Sequence, residues 1–113
     1  FKSCPPCRAK MKGLNILYNK YKNNSNIVFF YVSTDDVETA RKFTSGYNAE
    51  YPVVSVSWNK RSSFSRSGSP TTIIVNKKGK VIYKDSGGSA NEEKATRELL
   101  EKVAPVIDKE LTI

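Results

Sequence analysis

The feature that most restricts the fold is a continuous apolar run at residues 27–32, rich in β-branched and aromatic side chains. Such a run predicts a strand buried on both faces, as strands are in a parallel sheet. Before it, apolar residues recur at spacings of three and four, which predicts an amphipathic helix from residue 5 to about residue 23. These residues are Met11, Leu14, Leu17, Tyr18 and Tyr21.

Two further helices are predicted from the residues that would cap them. Asp35 followed by Glu38 fits a capping box for a helix that ends near residue 43 or 47. Ser89 followed by Glu92 fits a second capping box, and Pro105 is expected to kink or fray the end of that helix.

Strand patterns occupy the region between these helices. Residues 52–56 predict a short strand, and residues 71–75 and 80–84 flank a four-residue turn, which predicts a β-hairpin. Helices that alternate with a buried strand and then a hairpin predict a single α/β domain over residues 1–113.

Four large aromatic residues lie in or next to the irregular polar stretch before the hairpin: Tyr47, Tyr51, Trp58 and Phe64. They are interpreted as core or loop-packing residues. A partner-binding patch is the alternative interpretation.

The charge balance restricts the possible functions. There are 19 Lys and Arg against 11 Asp and Glu, no histidine and two cysteines. These counts exclude Ser-His-Asp and Cys-His catalysis and a four-ligand Cys/His zinc site within the chain. Residues 1–34 hold six basic residues and no acidic one. A basic surface can attract nucleic acid, but no stacking or recognition-helix pattern accompanies it, so a solvated surface and no nucleic-acid partner are expected.

Chemistry is therefore expected at Cys4 and Cys7, which stand at the start of the first predicted helix. The unpaired N–H groups and the positive dipole end of a helix stabilise a thiolate. Arg8 and Lys10, with Lys12 nearby, are expected to lower the pKa of Cys4 further from its ordinary value of about 8.5. In this arrangement the first cysteine is ordinarily exposed and attacks, and the second, about one turn deeper, resolves the mixed disulfide.

Other uses of a cysteine pair remain open. The pair could supply half of a zinc site completed by another chain, a clip for a soft metal such as Cu(I), or a structural disulfide. A disulfide that closes so short a loop stabilises little. The position at a helix start favours redox chemistry, with no metal and no cofactor.

Several segments together resemble the thioredoxin superfamily, and most of all its TlpA-like and ResA-like branch. They are Cys-Pro-Pro-Cys-Arg-Ala at residues 4–9, residues 30–35, Gly-Ser-Pro-Thr-Thr at residues 68–72 and the hairpin with its Gly-Lys turn. The resemblance implies a thioredoxin-like α/β fold with a central mixed β-sheet flanked by helices. The family places a central strand immediately before the cysteines. We therefore expect a gap in the sheet of this chain and native sequence upstream of Phe1.

The resemblance also implies the position of the substrate groove. It implies a cis peptide bond between Ser69 and Pro70, beside the cysteines, in a segment that pairs with an extended substrate peptide. The residues expected at this groove are Cys4, Pro5, Pro6, Cys7, Ser69, Pro70 and Thr71.

Three residues depart from the pattern of the family. Ser3 replaces the usual Trp, Lys10 replaces a frequent Glu, and Lys12 replaces a Pro. An ammonium in place of a carboxylate is expected to favour the thiolate and to make the pair more oxidising. It also removes a candidate base for Cys7.

The activity that the resemblance implies is thiol–disulfide exchange with exported proteins, as in cytochrome c maturation, with the chain acting as a reductant. It implies protein thiols and disulfides as substrates, a redox partner that donates electrons, and an extracytoplasmic location with a possible membrane tether upstream. A monomer is expected. A redox-inactive peptide-binding module is the alternative. A peroxiredoxin is disfavoured because Phe1 stands where its Thr or Ser would precede the reactive cysteine.

Overall fold

The computed structural model describes residues 1, 3–57, 59–60 and 69–112, so Trp58 and Phe64 lie outside the described residues. The elements are α1 (Pro5–Tyr21), β1 (Tyr31–Ser33), α2 (Val37–Ser45), β2 (Val53–Ser55), β3 (Thr71–Val75), β4 (Val81–Ser86), α3 (Glu92–Lys102) and α4 (Ala104–Leu111). Within these ranges no helix has both the length and the apolar composition needed to cross a membrane.

The strands form two small sheets. β1 pairs in parallel with β2, from Tyr31 opposite Val53 to Ser33 opposite Ser55. β3 pairs in antiparallel with β4, and the register shifts near Val75. No pairing joins the two sheets in the described part of the chain. Parallel and antiparallel pairing are therefore both present, in two separate sheets.

The prediction for residues 27–32 is wrong about both the extent of the strand and its burial. Only Tyr31–Ser33 forms β1. Val28 and Phe30 are 79% and 58% exposed, whereas Ile27 and Phe29 pack against the core. Burial therefore alternates along residues 27–30, because the helices cover one side of this segment and no described strand pairs with it.

The core lies between α1 and the two C-terminal helices. Its larger cluster consists of Leu17, Tyr21, Leu99, Val103, Ala104 and Ile107. A smaller cluster consists of Met11, Ala49 and Tyr51, with Tyr47 packed against it. The interpretation of Tyr47 and Tyr51 as core residues is therefore confirmed.

The helix predicted after residue 35 forms, but its cap is displaced by one residue. Asp36, rather than Asp35, caps α2, and its side chain accepts a hydrogen bond from the Thr39 N–H. The backbone of Asp35 is already engaged, because its N–H donates to Ser33 Oγ and its carbonyl accepts from Ser55 Oγ.

The C-terminal helix also starts later than predicted. Asn91 caps α3, and its side chain accepts a hydrogen bond from the Lys94 N–H. Ser89, the predicted cap, instead accepts a hydrogen bond from the Asn91 N–H through its Oγ. The expected disruption at Pro105 is confirmed, since α3 ends at Lys102 and α4 begins at Ala104.

Gly13 allows α1 to approach α3 closely. A Cβ at position 13 would lie 2.8 Å from Leu99 Cδ1 and 3.1 Å from the Thr96 Cα. Because the second contact is with backbone, a larger residue at position 13 would force the two helices apart.

We expect Gly13→Ala to lower the free energy of unfolding by about 1–2 kcal/mol in urea titrations. Alanine favours a helix over glycine by roughly 1 kcal/mol, whereas overpacking costs about 1–3 kcal/mol and lies toward the upper end where the contact is with backbone. Asn19→Ala, at an exposed position of the same helix, is the control and should change stability by less than about 0.5 kcal/mol. A Gly13→Ala protein as stable as the wild type would contradict this packing.

Candidate active site

Cys4 and Cys7 form a disulfide at the N-terminus of α1, with a Cα–Cα distance of 5.2 Å. Cys4 is the cap residue of the helix, and its Sγ accepts a hydrogen bond of 3.3 Å from the Cys7 N–H. Pro5 and Pro6 occupy the first two helical positions, where no N–H is needed inside the helix. The four residues of the motif are therefore placed by a single helix start.

The two cysteines do not differ in solvent exposure. Each is 5% exposed, so the expectation of an exposed Cys4 and a deeper Cys7 is wrong for the disulfide form. The disulfide holds both sulfur atoms within one helical turn. In addition, the chain before α1 folds back in a turn, in which the Cys4 N–H donates to the Phe1 carbonyl.

The three cations that follow the motif lie in different environments. Arg8 is exposed, and Lys12 is exposed with its Nζ 3.9 Å from Glu92 Oε1. Lys10, in contrast, is only 6% exposed. The first turn of α1 contains no acidic residue. Of these three cations, only Lys10 is therefore shielded from solvent.

A cleft of about 360 Å³ lies beside the start of the motif. Its lining residues are Pro5, Arg8, Ala9, Tyr47, Ala90 and Glu92. Pro5 and Arg8 were expected at the site from the sequence, whereas Tyr47 and Ala90 were not. These two come from loops distant in sequence, and no local pattern marks them.

The second candidate segment precedes and begins β3. The Ser69–Pro70 peptide bond is cis, as the resemblance implied. Ser69 is exposed, whereas Pro70 and Thr71 are partly buried. The Pro70 carbonyl accepts a hydrogen bond of 2.8 Å from the Gly87 N–H, and the hydroxyls of Thr71 and Ser86 lie 2.9 Å apart. The end of β4 therefore holds this segment in place.

One contact ties this segment to the redox helix. Lys10 Nζ donates a hydrogen bond of 3.4 Å to Thr72 Oγ1, which places β3 against α1 one turn beyond Cys7. Neither Thr72 nor Gly87 was expected at the site from the sequence. The only signal available for Gly87 was a pair of glycines after a predicted strand.

A family model described as Redoxin matches residues 2–100. The chain belongs to the redoxin family. This match and the mixture of helices and strands confirm the predicted thioredoxin-like α/β class.

Curated relatives of this redoxin chain share one name, thiol-disulfide oxidoreductase ResA. The protein of Halalkalibacterium halodurans is 26% identical over 103 residues, 90% of this chain and 57% of its own length. A protein of Bacillus cereus is 31% identical over 104 residues, 90% of this chain and 58% of its own length. The chain thus spans little more than half the length of these relatives.

We expect the pKa of the Cys4 thiol in the reduced protein to lie below the ordinary value of about 8.5. The Cys7 N–H, the start of α1 and the adjacent cations all favour its thiolate. The rate of iodoacetamide alkylation against pH, followed by mass spectrometry on the Cys7→Ser variant, measures this pKa. Added salt should raise it, since exposed Arg8 is screened. A pKa at or above that of a free thiol would refute the electrostatic account.

Proposed function

We propose that this chain is a thiol–disulfide oxidoreductase that reduces disulfides in other proteins. The observation that carries the proposal is the Cys4–Cys7 disulfide at a helix N-terminus, with a backbone N–H donating to Cys4 Sγ. A sulfur in this position is stabilised as a thiolate, which is the form that attacks and leaves in disulfide exchange. The name of the relatives, thiol-disulfide oxidoreductase, supports the same activity.

In the proposed reaction the Cys4 thiolate attacks one sulfur of a substrate disulfide. A mixed disulfide forms, and the other substrate sulfur leaves as a thiolate. Cys7, after loss of its proton, attacks Cys4 Sγ, which releases the second substrate thiol and forms the Cys4–Cys7 disulfide. Two electrons have then passed to the substrate, and a dithiol partner returns two electrons to the chain.

The assignment of Cys4 as the attacking residue rests on its position rather than on its exposure. Cys4 caps α1 and accepts the Cys7 N–H, whereas Cys7 lies inside the first turn. The residual alternative, a redox-inactive module that binds peptides, would leave both cysteines without a role.

We assign Pro5, Pro6, Ser69, Pro70 and Thr71 to substrate contact. Pro5 and Ser69 are exposed, and the end of β4 holds the segment at Pro70 in a fixed conformation. A fixed segment at the start of a strand suits the addition of an extended peptide by backbone pairing. The resemblance to an extracytoplasmic branch supports exported proteins as substrates, an extracytoplasmic location, a membrane tether upstream and a monomeric state.

The Cys7→Ser variant should accumulate a mixed disulfide through Cys4 when it is incubated with oxidised insulin, because no residue resolves it. Cys4→Ser should form no adduct and should lose insulin reduction entirely. Non-reducing gels and mass spectrometry detect the adduct, and insulin precipitation measures the activity. A wild-type chain that fails to reduce insulin would favour the peptide-binding alternative. An adduct through Cys7 alone would reverse the two roles.

Gly87 offers a second test, through the segment at Pro70. Its φ is +79°, which an alanine adopts at a cost of about 1–2 kcal/mol. Gly79, at the tip of the same hairpin, has a φ of +81° and is the matched control. At both positions an added Cβ would meet no other atom within 4 Å.

We expect Gly87→Ala and Gly79→Ala to lose similar stability in urea titrations. Only Gly87→Ala should also slow insulin reduction, by several fold, because only the Gly87 N–H holds the Pro70 carbonyl. Equal rates in the two variants would argue against the assignment of the Pro70 segment to substrate contact.

A further inference from the structure

Lys10 is a charged residue in an unusual position. It lies three residues after Cys7 in α1, so that the two side chains leave the same face of the helix with Cβ atoms about 5–6 Å apart. Within the described ranges, it is the only charged residue that is buried, with 6% of its surface exposed.

The surroundings of Lys10 come from three elements. Its Nζ donates to Thr72 Oγ1 on β3, and an added Cβ at Gly88 would lie 3.3 Å from its Cε. Lys10 also borders a cavity of about 10 Å³. The other residues around that cavity are Tyr83, Asp85, Gly87, Gly88, Glu98 and Leu99.

Charges from two elements act on the ammonium of Lys10. Desolvation by burial is the largest effect and lowers its pKa, while Asp85 on β4 and Glu98 on α3 oppose that shift. Lys102 on α3 lowers the pKa slightly further. An apolar side chain of similar volume would avoid the desolvation cost altogether. Burial of the ammonium therefore carries a net cost, which its contact with Thr72 and the charges of Asp85 and Glu98 offset only in part.

The location of Lys10 distinguishes it from the other cations of α1. Arg8 and Lys12 are exposed, so water and salt screen their effect on the disulfide. The ammonium of Lys10 acts through the protein interior, where screening is weaker. Its effect on a sulfur one helical turn away should therefore exceed that of either neighbour.

We infer that Lys10 is a positioning residue for the redox pair. Its ammonium, beside Thr72, Asp85 and Glu98, stabilises the reduced pair over the disulfide. This inference rests on the proposed function. When two electrons from the dithiol donor break the S–S bond, one sulfur takes up a proton and the other remains a thiolate. The buried ammonium favours that thiolate.

The test compares Lys10→Met with Lys12→Met. Each variant removes one positive charge from α1. Each protein is equilibrated with glutathione buffers, and the reduced fraction is measured by thiol trapping. Lys10→Met should shift the equilibrium about tenfold toward the disulfide, which corresponds to about 30 mV. Lys12→Met should shift it by less than about threefold, since its exposed charge is screened.

Two further readouts separate this role from a merely structural one. Thermal unfolding of Lys10→Met should occur at the same temperature as in the wild type or higher, since the net cost of burying the charge has been removed. Thr72→Val, which keeps the charge but removes its hydrogen bond, should shift the equilibrium less than Lys10→Met.

If the wild-type couple is reversible and Lys10→Met shifts the equilibrium no more than Lys12→Met, the inference about Lys10 is overturned. The proposed function is not affected by that outcome. A wild-type chain without a reversible couple would overturn the proposed function and this inference with it. A tenfold shift in Lys10→Met accompanied by a large loss of thermal stability would also overturn it, since altered packing would then account for the change.

Discussion

The close packing of α1 against α3 is the contact on which the rest of the structure depends. It is possible because Gly13 leaves room for Leu99 and for the backbone at Thr96. The larger core cluster continues this interface along Leu17 and Tyr21. Once α1 is fixed there, its N-terminus has only one position. That position carries the disulfide, and the next turn carries Lys10 against β3.

The same helix therefore serves as a core element and as the support of the chemistry. Its buried side packs against the C-terminal helices and against Ile74 and Tyr83 of the hairpin, while its first turn presents the Cys7 N–H to Cys4 Sγ. Of the three cations that follow the disulfide, two face solvent and one is buried among groups from β3, β4 and α3. Position along the helix, rather than net charge, determines how strongly each one acts on the sulfur atoms.

The sequence predicted those parts of the fold that depend on local patterns. The first helix, the hairpin and the break near Pro105 follow from periodicity, turn residues and proline geometry, and all three are present. The extent of β1 was not predictable, because a strand needs a partner and an apolar run does not reveal one. The caps of α2 and α3 lie one and two residues later than predicted, and in each case a serine side chain binds an N–H just ahead of the helix.

For the site, the motif itself was enough to place Cys4 and Cys7 at a helix start, and the resemblance supplied the cis bond at Pro70. The equal burial of the two cysteines and the burial of Lys10 were not predictable. The burial of Lys10 depends on contacts with segments far apart in sequence. A lysine in a basic segment looks like its exposed neighbours until the fold places β3, β4 and α3 around it.

The reduction potential of the Cys4–Cys7 couple tests the central claim most directly. Equilibration with glutathione or dithiothreitol, followed by thiol trapping, would measure it. We predict a reversible two-electron couple between the values of about −270 mV for thioredoxin and about −180 mV for protein disulfide isomerase. A value near about −120 mV would contradict the role as a reductant, and the absence of any reversible couple would contradict the central claim itself.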